Sequence, residues 1–125
     1  MRMIILVLGL GIGLGIGLGS ALAATSVRAE ETLAPNQAGA HAGQRATVEG
    51  AVSAVHTADS GVTFLDIGGN FPNNAFAAVI FKDDAGKFPD VDAYTGKTIA
   101  ITGSIRLFQG KPEIVLNDPA QIRLK

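Results

Sequence analysis

The chain has 125 residues with sixteen glycines, five prolines and no cysteine, room for one small domain held without disulfides or thiolate-bound metal. Over residues 30–125, eight Lys and Arg face eleven Asp and Glu, a net charge of −3. Bulk electrostatics therefore gives no support to a protein that grips nucleic acid by blanket neutralisation of phosphates.

Residues 1–29 read as a secretory signal. Met1-Arg2 is a short positive start, and Met3 to Leu22 is an uncharged apolar run. Two small-residue sites follow: Ala21-Leu22-Ala23 places a cut after Ala23, and Val27-Arg28-Ala29 places one after Ala29, the favoured site. The alternative is an uncleaved anchor, because the uncharged run from Met3 to Val27 is long enough to span a bilayer. Alternating glycines weaken that helix, and no cluster of Lys and Arg ends it, which favours cleavage. The expected location is periplasmic or secreted, with membrane contact only through an uncleaved leader.

Residues 30–44 are small and polar without sustained period and read as a flexible arm. Residues 45–125 then form the folded domain, with five strand-like segments bounded by turn residues. The first is Arg45 to Val55, with a bend or bulge expected at Gly50. Asp59-Ser60-Gly61 turns the chain into the second, Val62 to Ile67, and a Phe71-Pro72-Asn73-Asn74 loop leads to the third, Ala75 to Lys82. Phe88, Val91 and Tyr94 recur at intervals of three, predicting a short helix from Lys87 to Tyr94. The fourth strand, Thr98 to Phe108, alternates Ile99, Ile101, Ile105 and Leu107 with polar residues, and Gly103 interrupts its apolar face. Gln109 to Pro112 is a hairpin turn into the fifth strand, Glu113 to Leu116, and a short alternating tail follows Pro119.

Five strands with a short helix between the third and fourth is the order of an all-β, five-stranded Greek-key OB barrel. Gly-Val-Thr-Phe-Leu-Asp-Ile at 61 to 67, Phe-Pro-Asn-Asn-Ala-Phe-Ala-Ala-Val-Ile-Phe at 71 to 81, Tyr-Thr-Gly-Lys at 94 to 97 and Gly-Lys-Pro-Glu-Ile-Val-Leu at 110 to 116 resemble OB-fold nucleic-acid-binding domains of the anticodon-binding-like type. Such modules accompany secreted bacterial nucleases and occur as stand-alone exported proteins. The resemblance spans about Gln44 to Ile122 and implies a binding module more than any particular ligand.

Charged residues suggest which way each strand faces, since an unpaired buried charge is costly. With Asp66 outward, Phe64 is outward and Leu65 and Ile67 are interior. With Lys82 outward, Phe76, Ala78 and Ile80 are outward and Val79 and Phe81 interior. With Arg106 outward, Phe108 follows. In OB folds the face of the second and third strands and the adjoining loops holds oligonucleotides and oligosaccharides. The candidate binding residues are thus Phe64 and Phe76 for stacking, Lys82, Arg106 and Lys111 for phosphate, and Phe108 beside them, with His56 a weaker choice. The arm or the 71–74 loop could instead cover this face, and each cation taken singly could be solvated surface.

No catalytic constellation emerges. His41 and His56 have no second ligand at helical spacing, and Asp83, Asp84, Asp90 and Asp92 lack the EF-hand alternation, leaving loose calcium association as the alternative to a solvated acidic edge. Neither serine-nucleophile nor phosphate-loop patterns occur, and no cofactor or metal is expected. The expected function is an exported, non-catalytic module for single-stranded DNA or RNA. The alternatives are an interaction or assembly module docking a protein of the bacterial cell envelope, and a binder of small ligands or oligosaccharides.

Overall fold

A computed structural model describes residues 31–125; the signal helix expected over residues 1–29 lies outside the described residues. The described residues form seven strands: β1 (Thr32–Leu33), β2 (Arg45–Thr57), β3 (Thr63–Ile67), β4 (Phe76–Ile80), β5 (Thr98–Phe108), β6 (Lys111–Val115) and β7 (Ile122–Leu124). The sequence led us to expect five. Those five are β2 to β6, and the two additional strands are short: β1 runs parallel beside β2, and β7 runs antiparallel beside β5.

The five longer strands close on themselves in the order β2-β3-β4-β6-β5, with β5 returning to β2. Closure depends on β2 belonging to both sides of the barrel. Its first half, Arg45 to Ala51, pairs with β5, and its second half pairs with β3, with a register shift between Val52 and Ala54. A bulge there lets one strand turn the corner of the barrel. It falls just past Gly50, whose role is close approach: a Cβ on Gly50 would lie 2.6 Å from Pro35 Cγ and 2.7 Å from Ile67 Cγ2.

Branched and aromatic side chains fill the interior. Val48 and Val52 of β2, Leu65 and Ile67 of β3, Phe76 and Ile80 of β4, Ile99, Ile101 and Ile105 of β5 and Ile114 of β6 are all buried. Gly103 leaves room for the Ile114 side chain, since a Cβ there would come within 2.6 Å of Ile114 Cγ2.

The 31–44 segment differs from the arm expected of it. After β1 it forms a 3-10 helix, Pro35–His41, in which the Gln37 side chain accepts a hydrogen bond from the Ala34 amide at 2.7 Å. Leu33 and Ala38 are buried in the core, and the Pro35 ring lies against Gly50 and Gly68. The segment therefore packs into the barrel as a plug. Its few apolar residues do the packing, which is why no period announced it.

Of the helix expected from Lys87 to Tyr94 the structure keeps one 3-10 turn, Val91–Tyr94, and a second 3-10 turn, Lys82–Lys87, precedes it. Intervals of three residues are the 3-10 repeat, which stacks side chains at i and i+3. Phe88, which caps the end of the first turn, is buried, and Val91 and Tyr94 of the second pack partly buried against the same core.

Candidate nucleic-acid interface

The outer face of the sheet is set by register. Asp66 lies opposite Ala77, Ala77 opposite Glu113 and Glu113 opposite Arg106, so these four side chains form one row across β3, β4, β6 and β5. His56, Phe64 and Val79 form the neighbouring row. Since Leu65 pairs with Ala78 and Ile67 with Phe76, those four point into the barrel.

This inverts the facing expected for the third strand. Phe76 is wholly buried, Ala78 and Ile80 are core residues, and Phe81 stands 40% exposed on the outer side. Lys82 misled the reading because it is not part of the strand: β4 ends at Ile80 and Lys82 opens a 3-10 turn. Its charge says nothing about the phase of the residues before it. Phe76 is therefore withdrawn as a stacking residue, and Phe81 takes its place.

On the outer face, aromatic rings gather with cations beside them. His56 stacks on Phe64 with ring centroids 5.2 Å apart and planes 22° apart, and it also meets Phe71 of the β3–β4 loop at 6.3 Å. The Arg106 guanidinium lies 5.7 Å from the centre of the Phe81 ring, and the Lys111 ammonium lies 5.7 Å from that of Phe71. Phe71 is 68% exposed and Phe108 is 52% exposed, so these rings offer faces to solvent. A cleft of about 240 Å³ opens among them, walled by His56, Phe64, Phe71 and Phe108. None of the residues lining it comes from the 31–44 plug, but Phe71 and Asn74 of the 71–74 loop do line it.

Two carboxylates are sunk into this cleft. Glu113 holds Arg106 through one oxygen, Oε2, which accepts from Nε at 2.7 Å and from the terminal NH2 group at 2.6 Å. Asp66 approaches His56 Nε2 at 3.3 Å through Oδ2. Lys111 donates to the Pro72 carbonyl at 2.8 Å and to Asn74 Oδ1 at 2.7 Å, pinning the loop that carries Phe71. Asn74, itself buried, is fixed in turn by donating to the Phe76 carbonyl at 2.9 Å.

Of the residues singled out from sequence, Phe64, Phe108, Lys111 and the weaker choice His56 line the cleft. Arg106 stands at its edge and also lines a broader groove of about 650 Å³ running past Ser104 and Asn117. Lys82 is exposed outside the cleft, its stem laid over Gly61 in the β2–β3 turn. Sequence reasoning missed Asp66 and Glu113 because it treated charge as a mark of exposure. The signal that could have found Glu113 was an acid opposite Arg106 across the Gln109-Gly110 turn, a cross-strand ion pair at hairpin spacing.

No known protein-family description matches the chain, and no curated protein does. Solved structures match in fold. A protein described as an aspartyl-tRNA synthetase of Leishmania major Friedlin aligns with a TM-score of 0.52 and 8% identity over 85% of this chain and 22% of its own. An OBody bound to hen egg-white lysozyme aligns with a TM-score of 0.51 and 16% identity over 78% of this chain and 94% of its own. The Stn1–Ten1 complex of S. pombe aligns with a TM-score of 0.49 and 14% identity over 65% of this chain. The chain spans 57% of the length of that last match and 22% of the synthetase. At such identities the likeness establishes architecture and nothing finer: residues 31–125 form an OB-fold barrel.

Proposed function

We propose that this chain is a non-catalytic OB-fold module that holds single-stranded nucleic acid across the outer face of β3, β4, β6 and β5, and that it does so outside the cytoplasm. The observation that carries the reading is the set of exposed rings with cations stacked on them, Phe71 with Lys111 and Phe81 with Arg106. Bases stack on aromatic faces regardless of sequence, and adjacent Lys and Arg follow the backbone. The leader expected over residues 1–29 supports export to the periplasm or beyond.

Titration of a short thymine oligonucleotide at low salt, followed by fluorescence anisotropy, tests the proposal. Phe71→Ala and Phe108→Ala should each weaken binding roughly tenfold, as expected for losing one stacking partner. An unmodified protein that binds no oligonucleotide at low salt refutes it.

A second reading is favoured by Phe71 and Phe108, two rings more than half exposed that wall the same cleft. Such a patch suits a protein partner in the cell envelope. The OBody bound to lysozyme is a protein of this fold that engages another protein. Pull-down from envelope extract with the parent and the Phe108→Ala variant separates the two readings.

A further inference from the structure

We infer that the cleft between β3 and β6 reads a guanine base, its Watson–Crick edge donating hydrogen bonds to the carboxylate of Asp66. The inference rests on the nucleic-acid reading above and adds to it a base preference at one position.

Asp66 is 3% exposed, and among the described residues its carboxylate has one partner, His56, reached through Oδ2; Oδ1 has none. A buried carboxylate oxygen without a donor is costly, and an apolar residue would serve the sheet better there. Its lateral neighbours on the outer face are Ala54 and Ala77, which are too short to reach its carboxylate, and Asp66 and Ala77 both line the cleft. Glu113 repeats the arrangement two strands away, with Oε2 given to Arg106 and Oε1 unpartnered among the described residues. The unused hydrogen-bonding atoms of these two side chains are thus acceptors, and both carboxylates line the same cleft.

That pattern discriminates among ligands. Phosphate oxygens would be repelled, so the cleft takes a base and leaves the backbone to the rim. Lys111 and Arg106 offset the two carboxylates, which suits a neutral ring better than a free cation. The walls are rings, and about 240 Å³ lies below the ~300–1,000 Å³ of drug-sized sites, giving room for a single base. Thymine and uracil place carbonyl oxygens on either side of their one ring N–H, facing the carboxylate with like charge. Adenine and cytosine offer one amine next to a ring acceptor. Guanine presents two adjacent donors, the ring N1–H and the exocyclic amine, which match the two oxygens of a carboxylate as a bidentate pair.

The test compares three pentamers on the purified protein as the cell makes it: all thymine, thymine with a central guanine, and thymine with a central hypoxanthine, which lacks the exocyclic amine. The guanine pentamer should bind about tenfold tighter than the thymine one, with hypoxanthine in between. Asp66→Asn should abolish the preference, so that the guanine and thymine pentamers bind the variant with equal affinity. Should that variant fail to fold, the hypoxanthine comparison reads the same contact in the unaltered protein. Equal binding of all three pentamers overturns the guanine assignment and leaves the proposed function standing, as does a guanine preference retained by Asp66→Asn. Binding of none of them at low salt removes the proposed function itself. Tight binding of N-acetyl-arginine amide with no pentamer bound makes the cleft a dock for a basic peptide and overturns the assignment.

Discussion

Gly50→Ala tests whether residues 31–44 are part of the fold. The added Cβ would sit 2.6 Å from Pro35 Cγ and 2.7 Å from Ile67 Cγ2, whereas carbon atoms pack best at about 3.5–4.0 Å. Roughly 1 Å must be found in two directions. Neither neighbour yields easily, because Pro35 is a rigid ring and Ile67 is a β-branched, fully buried side chain. Over-packing of this kind costs about 1–3 kcal/mol, offset by about 0.4–1 kcal/mol because alanine restricts the unfolded chain. The net loss should be about 1–2 kcal/mol, a fall in Tm of roughly 5–15 °C for a domain of this size. Thermal unfolding followed by circular dichroism measures it, with Gly86→Ala as control. A Cβ on Gly86 meets nothing within 4 Å, so that variant should match or slightly exceed the parent. If Gly50→Ala melts no lower than Gly86→Ala, Pro35 does not occupy the barrel and the plug is wrong.

Leu33→Ala probes the same plug from β1 and should cost about 2–3 kcal/mol by urea denaturation, since Leu33 is almost wholly buried. Arg106→Ala leaves Glu113 buried without its ion-pair partner and should destabilise by about 1–2 kcal/mol; half-exposure of the guanidinium keeps the cost below that of a fully buried pair. Adding Glu113→Gln to Arg106→Ala should recover part of that loss in the same denaturation assay. The affinity of a thymine oligonucleotide should fall with salt at a log–log slope of about −2, the value for three cations on a single strand. A slope near zero would remove Lys82, Arg106 and Lys111 from the backbone track.

How well the sequence foretold the structure depended on what reported each element. The bounds of β5 were legible because four apolar residues alternate with polar ones through Thr98–Phe108 and turn residues close both ends. Leu65 and Ile67 were assigned inward correctly, since β3 pairs with β4 without a register shift and its side chains therefore alternate, which leaves Asp66 on the face opposite the core even though it is itself buried. The same logic failed on β4, where all five residues are buried and the nearest charge lies beyond the strand end. With no alternation inside β4, only its pairing with β3 fixes the phase, and pairing is a tertiary fact. Residues 31–44 were illegible for another reason: their burial rests on Leu33, Pro35 and Ala38, too few to make a period. Of the candidate residues, Phe64, Phe108 and Lys111 come together along the cleft with Arg106 at its edge, while the acidic floor between them was not anticipated.

That floor also bears on the net charge of −3, which counts against nucleic acid only if the acids lie where the strand would run. The two acids that line the cleft are each engaged through one oxygen, Asp66 near His56 and Glu113 with Arg106. Asp83, Asp84, Asp90 and Asp92 belong to the 3-10 segment and do not line the cleft. Locally, Lys111 and Arg106 balance Asp66 and Glu113, so a strand crossing this face meets rings and an even charge. Affinity must then come mainly from stacking, with a modest electrostatic share. Replacing Phe71 should accordingly weaken binding more than replacing Lys82, and the gap should widen at moderate salt, where screening diminishes the contribution of the lysine but not that of the ring. Competition titrations of Phe71→Ala and Lys82→Ala at two salt concentrations read this directly; a larger loss from Lys82→Ala would return the face to a phosphate-gripping surface and undo the argument from local charge balance.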